Sequence, residues 1–416
     1  MRPISLLTAC VMSLATAAWV NTKGPPVTAH AGGENDVVDI TVSAKASAAA
    51  VGARRPGHSI DPRPDCPHPF PRRRPVDLVI CLDTSGSMSG LIDSARAKLW
   101  DIVNEIAEAE PTPRLRVGLF TYGSPHVSTR AQGWVVRQLD LTEDLDMVYS
   151  RLMALTTNGG EEYVGWVLND AVQTMSWSNE PDAVRLIFVA GNESADQAAA
   201  YFNFRTVAEA ARCRRIIINA IYAGPRERGI AEHWDQVARY GKGRFAAIDM
   251  QYGTEQIATP QDKILIKLNA ELNATYVPYG RGGARGAANQ HRQDSNASAL
   301  GPHSAASRVA AKGSPVYDNA QWDLIDASKK EDFDIQKVPL EQLPDVMRTM
   351  TAKERKRYVE RARKTRRAIR KRIREVSKQR EQYLGEARSK RNDGKVGLDD
   401  AIRATIREQL TSHGHD

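Results

Sequence analysis

Cysteine is scarce in this 416-residue chain: Cys10, Cys66, Cys81 and Cys213 are all there is. No two of them form a CxxC pair, so the chain lacks a zinc-binding pattern. The sequence also lacks the phosphate-binding G-x-x-x-x-G-K-S/T, the dinucleotide fingerprint G-x-G-x-x-G and the nucleophile elbow G-x-S-x-G. NTPase, dinucleotide-dependent and serine-hydrolase readings are therefore without their motifs. Aromatic residues make up 6% of the chain. After residue 20 no stretch is apolar enough to suggest a membrane span.

Acidic charge is missing from one region in particular. Residues 351–380 hold 15 Lys or Arg against 3 Glu, a local charge of +12, while the whole chain carries +8. The remainder is therefore about −4 (8 − 12), and the protein is basic only locally. This basic stretch reads as a long helix with a narrow apolar stripe of Tyr358, Ala362, Ile369, Ile373 and Val376, which suits a helical hairpin or coiled-coil seam. Its cations suit either a solvated face or contact with an anionic surface or polymer. Only Tyr358 and Tyr383 interleave with them, which argues against nucleic acid as a partner.

Residues 1–31 read as an export signal: Arg2 is followed by the mostly apolar 4–20, with small-residue sites at Ala15-Thr16-Ala17 and Ala29-His30-Ala31. The expected location is periplasmic or secreted. Leu7-Thr8-Ala9-Cys10 has the look of a lipoprotein box, but the apolar core before Cys10 is short. Residues 32–74 form a linker rich in proline, ending in Arg72-Arg73-Arg74. Cys66 and Cys213 could pair in an oxidising compartment, although their spacing gives no support for it.

From 75 to 280 strand and helix signals alternate, which predicts an α/β fold with a mostly parallel, doubly wound sheet flanked by helices. Strands are expected over 76–82, 115–122, 134–139, 184–189, 216–222 and 245–248. Helices are expected over 91–110, 143–155, 161–177, 195–213, 230–240 and 263–276. Residues 281–315 are rich in Gly, Ala, Ser, Asn and Gln and read as a flexible segment. Residues 316–416 read as a basic, helical C-terminal extension. The tail His413-Gly-His415-Asp416 reads as a frayed polar end.

The most telling stretch is Val76-Asp77-Leu78-Val79-Ile80-Cys81-Leu82-Asp83-Thr84-Ser85-Gly86-Ser87. An apolar run fit for a strand buried on both faces ends in a carboxylate, and a hydroxyl-rich loop then feeds a helix. Asp83, Ser85 and Ser87 alternate, so one turning loop can aim three oxygens at one point, and hard divalent cations take oxygen ligands. In an open α/β sheet such a loop lies where ligands bind, at the carboxyl ends of the strands.

Asp83-x-Ser85-x-Ser87, set between a buried strand and a helix, resembles the metal-ion-dependent adhesion site of von Willebrand factor type A domains. The resemblance implies a Mg²⁺ site (or one for Mn²⁺ or Ca²⁺), and a protein partner whose carboxylate fills an open coordination position. It further implies a second-loop ligand, for which Thr157 and Glu162 are the candidates and Glu162 is preferred. It implies an Asp after the fourth strand too, and here the chain departs: Ala190-Gly191-Asn192 stands in that place. Asn192 or Glu193 would have to substitute. A non-enzymatic adhesion or scaffold role is the leading expectation. The alternatives are a metal-dependent hydrolase of envelope components, for which His126 is a nearby loop candidate, and an envelope-binding protein acting through its basic helix.

Overall fold

In the computed structural model the described residues are 73–125, 128–248, 257–390 and 397–412. The expected signal, most of the linker, Cys10, Cys66, His126 and the histidine-bearing tail lie outside them. The described residues fall within one compact unit.

The sheet has six strands in the order β3-β2-β1-β4-β5-β6. They are β1 (Pro75–Asp83), β2 (Arg114–Tyr122), β3 (Val136–Thr142), β4 (Val184–Gly191), β5 (Ile216–Ala223) and β6 (Lys242–Ile248). All neighbours run parallel except β2 and β3, which pair antiparallel at one edge. The chain builds outward from β1 through β2 to β3, then returns to β4 on the other side of β1. The strand order therefore reverses between β1 and β4, and a crevice forms beyond their carboxyl ends.

The helices are α1 (Ser89–Ala107), α2 (Leu145–Met153), α3 (Val164–Thr174), α4 (Phe204–Cys213), α5 (Arg226–Ala231), α6 (Trp234–Tyr240), α7 (Pro260–Asn273), α8 (Gly283–Ala299), α9 (Pro302–Gly313), α10 (Leu324–Ala327), α11 (Asp345–Arg348), α12 (Ala352–Ser389) and α13 (Leu398–Ser412). Strand alternation divides the core into two layers. Leu78, Ile80 and Leu82 pack with α1, α2 and α13 on one face, while Val79 and Cys81 pack with α3, α4 and α6 on the other. With both faces covered, every residue of β1 is buried, which is why its sequence reads as a continuous apolar run. No helix among the described residues is long and apolar enough to cross a membrane.

Several expectations need correction. Residues 281–315 are not a flexible segment: α8 and α9 occupy them, and their polar residues are buried because they have partners. Arg308 lies 2.6 Å from both Asp146 and Asp294, and Lys312 lies 2.9 Å from Asp294. A composition poor in apolar residues reads as loop until the acids that neutralise its cations are placed. Residues 195–203 form turns, and the helix begins only at Phe204, capped by Asn203. Residues 230–240 hold the end of α5 and all of α6, separated by His233 in a left-handed conformation.

The basic helix also differs from its expected form. Its start follows the chemistry of a capping box, in which Thr351 and Glu354 bond reciprocally. Its inward side, however, carries arginines as well as apolar residues. Val359, Arg366, Arg370, Ile373, Val376, Arg380 and Leu384 are buried. Arg366 reaches Asp323 at 2.5 Å and Asp326 at 3.1 Å, and Arg380 reaches Asp262 at 2.7 Å. Ile373 and Val376 share an apolar cluster with Leu265, Leu268 and Leu272 of α7 and with Ala306 and Val309 of α9. This face is thus a mixed ionic and apolar seam against the body of the protein rather than a coiled-coil stripe.

Candidate functional site

The site begins with the abrupt end of β1. Asp83 is its last residue, fully buried, and its Oδ1 accepts the Ser85 backbone N–H at 2.7 Å. That bond turns the chain away from the sheet and into a short 3-10 turn at Gly86–Met88, which leads into α1. Two further bonds fix the loop to the neighbouring strand. Thr84 donates from its N–H and from its Oγ1 to the Tyr122 carbonyl, at 2.8 and 2.9 Å.

The second loop, 156–163, is tied to the first: the Asn158 N–H donates to the Thr84 carbonyl at 2.9 Å. Thr157 is therefore carried to the same rim, where it is half-buried. Glu162 is buried, and its backbone N–H donates to Gln197 Oε1 at 2.8 Å. Glycine at position 123 keeps the centre open. A methyl group built there would stand 2.8 Å from Asp83 Oδ1, 3.2 Å from Glu162 Cγ and 3.5 Å from Ser85 Cβ. Its φ of +80° also favours glycine. Asp83, Ser85 and Glu162 thus converge on one small space.

The wall after β4 holds Asn192 and Glu193 where a carboxylate would be expected at the first. Asn192 donates from Nδ2 to Ser87 Oγ at 3.1 Å, so the exposed third hydroxyl is engaged by the substituting amide. Glu193 is half-buried; its carbonyl accepts Trp234 Nε1 at 2.7 Å. Its charge is felt at both Asp83 and Glu162.

Two oxygens here are buried without a hydrogen-bond partner, Asp83 Oδ2 and Asn192 Oδ1, while the Ser85 hydroxyl lies between the Asp83 and Glu162 carboxyls. Buried polar atoms are almost always satisfied, and each orphan costs on the order of 1–3 kcal/mol. The electrostatics agree. Burial, together with the Glu162 and Glu193 charges, pushes the Asp83 carboxyl up to about 7 against the opposing Ser85 N–H. Burial and the Glu193 charge push Glu162 up to about 7 as well. The donor set of carboxylate, hydroxyl and amide oxygens fits a hard divalent cation, which would satisfy the orphans and favour both carboxylates. Among the described residues no group of three or more His, Cys, Asp or Glu side chains is placed to hold an ion. A cation here would depend on Ser85 and other neutral oxygens.

Residues 77–237 match the von Willebrand factor type A domain family. The chain therefore carries a domain of this class, whose members mediate protein–protein interaction or adhesion. No curated protein matches the sequence. Among solved structures, proximal thread matrix protein 1 from the mussel byssus, with a zinc-occupied MIDAS motif, is similar at 13% identity and a TM-score of 0.34. That match covers 43% of this chain and 42% of the mussel chain. The SpRpn10 VWA domain is similar at 14% identity and a TM-score of 0.33, over 44% of this chain and 98% of that one. The pilus adhesin SpaC from Lactobacillus rhamnosus GG, in its open conformation, is similar at 13% identity and a TM-score of 0.33, over 43% of this chain and 28% of that one. The chain thus spans less than half the length of the mussel protein.

Gly123, which keeps the space open, follows the carboxyl end of β2, where the sequence already places it beside the site; what sequence reasoning missed are the roles of Thr84 and Asn158, which lock the two loops together, and of Gln197, which orients Glu162. Gln197 carries no signal, because it reaches the site through an irregular segment.

Proposed function

We propose that this is an exported adhesion or scaffold protein whose type A domain binds a protein partner through a divalent cation held at Asp83, Ser85 and Glu162. Mg²⁺ is the first candidate, with Mn²⁺ and Ca²⁺ next. Ser87, Thr157 and Glu193 stand at the rim of the same site. The observation that carries the reading is the unsatisfied buried oxygen Asp83 Oδ2, beside the Ser85 hydroxyl and Glu162. When bound, the cation supplies a Lewis-acidic position for a carboxylate from the partner. Asp83 supplies the fixed charge, Ser85 a neutral oxygen, and Asn192 holds Ser87 in place at the rim. The carboxylate missing after β4 is matched by the one that Glu162 brings from the second loop, so Asp83 and Glu162 leave the site with two.

Isothermal titration of the full chain with MgCl₂ and MnCl₂ tests this. Saturable heat that disappears in Asp83→Ala, with an unchanged circular dichroism spectrum, is the expected result. Absence of heat with both ions would remove the cation from the proposal. Export rests on residues 1–31 and is checked by fractionating the native host.

A further inference from the structure

α12 has cations left over after its buried arginines are paired. Between α12 and the segment around α10 lies an open cleft of about 440 Å³. One wall is Arg363, Arg367, Arg370 and Arg374, with Lys364 beside them, and the other holds Ile325 and Lys329. Arg366 also borders the cleft but is committed to Asp323. Glu360 is the one acid in the lining. Behind the lining Asp323 and Asp326 neutralise two charges, so the cations remain in surplus.

A second observation points to a ligand. Arg370 is 8% exposed and lines the cleft, yet its Nε has no hydrogen-bond partner. Its terminal nitrogens make long contacts of 3.5 Å to Asp326 and to the Tyr317 carbonyl, and the Tyr276 hydroxyl lies beside the guanidinium. A guanidinium offers five donors in a fixed fork, and leaving one buried and unused is costly. Lys329, on the facing wall, is exposed and pairs with Asp326 at 2.5 Å. From Arg363 to Arg374 the helix rises ~16 Å, a longer run than a single phosphate can engage.

We propose that this cleft binds a di- or oligophosphate group, with Arg370 at its floor, Arg363, Arg367 and Arg374 along one edge and Lys329, itself paired with Asp326 at 2.5 Å, on the facing edge. Planar guanidinium forks pair with phosphate oxygens bidentately, which explains why this wall is arginine and not lysine for most of its length. The site is separate from the cation site at Asp83 and does not depend on it. The shared chemistry could come from a soluble oligophosphate or from a phosphorylated lipid headgroup.

The test is calorimetric titration of the full chain with inorganic pyrophosphate, in parallel with flotation on phosphatidylcholine vesicles with and without phosphatidic acid. The variant Arg367→Ser/Arg374→Ser removes two exposed edge cations, and Arg372→Ser/Lys378→Ser removes two from elsewhere on α12. Saturable pyrophosphate binding that weakens roughly tenfold or more in the first variant and little in the second is expected from the loss of two charge-assisted contacts. Vesicle binding that pyrophosphate displaces assigns the natural source to lipid, and pyrophosphate binding without flotation assigns it to a soluble ligand. Equal weakening in both variants would reduce the effect to net charge and overturn the proposal, as would the absence of pyrophosphate binding.

Discussion

Replacing Arg366 by alanine should be among the most damaging single changes in this chain. The guanidinium is buried, and it donates to Asp323 at 2.5 and 3.1 Å, to the Thr275 carbonyl at 2.5 Å and to Thr275 Oγ1 at 3.0 Å. It also lies 4.3 Å from the centroid of the Tyr276 ring. Alanine would strand Asp323 and Asp326, both fully buried. Arg370, at 3.5 Å, and Lys329 would remain as partners for Asp326 only. Breaking a buried ion pair from one side costs about 3–5 kcal/mol, because an uncompensated charge stays behind. The assay is equilibrium urea unfolding followed by tryptophan fluorescence, where buried Trp100 reports on the domain and Trp322 on the extension. The midpoint of Arg366→Ala should fall by the equivalent of about 3 kcal/mol or more at an unchanged slope, whereas Arg372→Ala, on the exposed side, should move it by about 0.5 kcal/mol or less. A loss below about 1 kcal/mol in Arg366→Ala would refute the claim that this helix is seated by buried charge.

Two other outcomes follow from the same geometry. Gly123→Ala places a methyl group 2.8 Å from Asp83 Oδ1 at a φ of +80°, so it should cost about 1–2 kcal/mol of stability and abolish the Mg²⁺ heat. Calorimetry and urea unfolding on the same preparation check both effects. Acid should also unfold the protein. Burial alone would raise Asp101, Asp294 and Asp326, but their neighbours overcome it: the His303 hydrogen bond together with Lys98 and Arg380 for the first, Arg308 and Lys312 for the second, Arg370 and Arg366 for the third. All three are held below the ordinary value of 3.8. A lowered carboxyl contributes stability that is fully present above its unfolded value and is lost as pH falls below it. Urea midpoints should therefore drop steeply below pH ~4 through these three groups, and a midpoint that does not change on acidification would contradict their pairing.

The parts of the fold legible in the sequence are those where one chemical pattern has one structural solution. An apolar run such as Val76 to Leu82 must be buried on both faces, and alternation of such runs with helical periodicity implies a parallel sheet. Asp83, Ser85 and Ser87 could be singled out because a strand end is where an α/β sheet presents ligands, and Glu162 through the resemblance to type A domains. The extension was harder, since its cohesion comes from pairs distant in sequence. Arg308 looks like one more surface charge until α2 brings Asp146 to it, and Arg380 until α7 brings Asp262. Local composition records the cost of burying such a residue but not the partner that offsets it. Asp323 is illegible for the same reason: a capping acid and the anchor of a buried arginine look alike in sequence.

The boundary first drawn at residue 280 leads to the last prediction. The type A domain proper should not be stable as a 73–280 fragment. α1 carries Lys98, Asp101 and Glu105 on a buried face. Lys98 and Asp101 lie 3.7 Å from each other, and their further partners are His303, 2.8 Å from Asp101, and Asp399, 3.8 Å from Lys98, with Arg403 and Arg407 2.9 and 2.8 Å from Glu105. All four partners lie beyond residue 280. The fragment would also uncover apolar surface, since Leu398, Ala401, Ile402 and Ile406 of α13 share a core with β1 and α1. A fully buried Ile or Leu is worth roughly 1.5–3 kcal/mol of transfer energy, so losing three of them already approaches the whole stability of a typical domain, about 5–15 kcal/mol. The measurement is thermal unfolding of the fragment beside the full chain, with dye binding to exposed apolar surface read in parallel. The fragment should bind the dye and lose its cooperative transition. A sharp transition at the full-length temperature would show that the helices from α8 onward are an accessory to the domain and not part of its core.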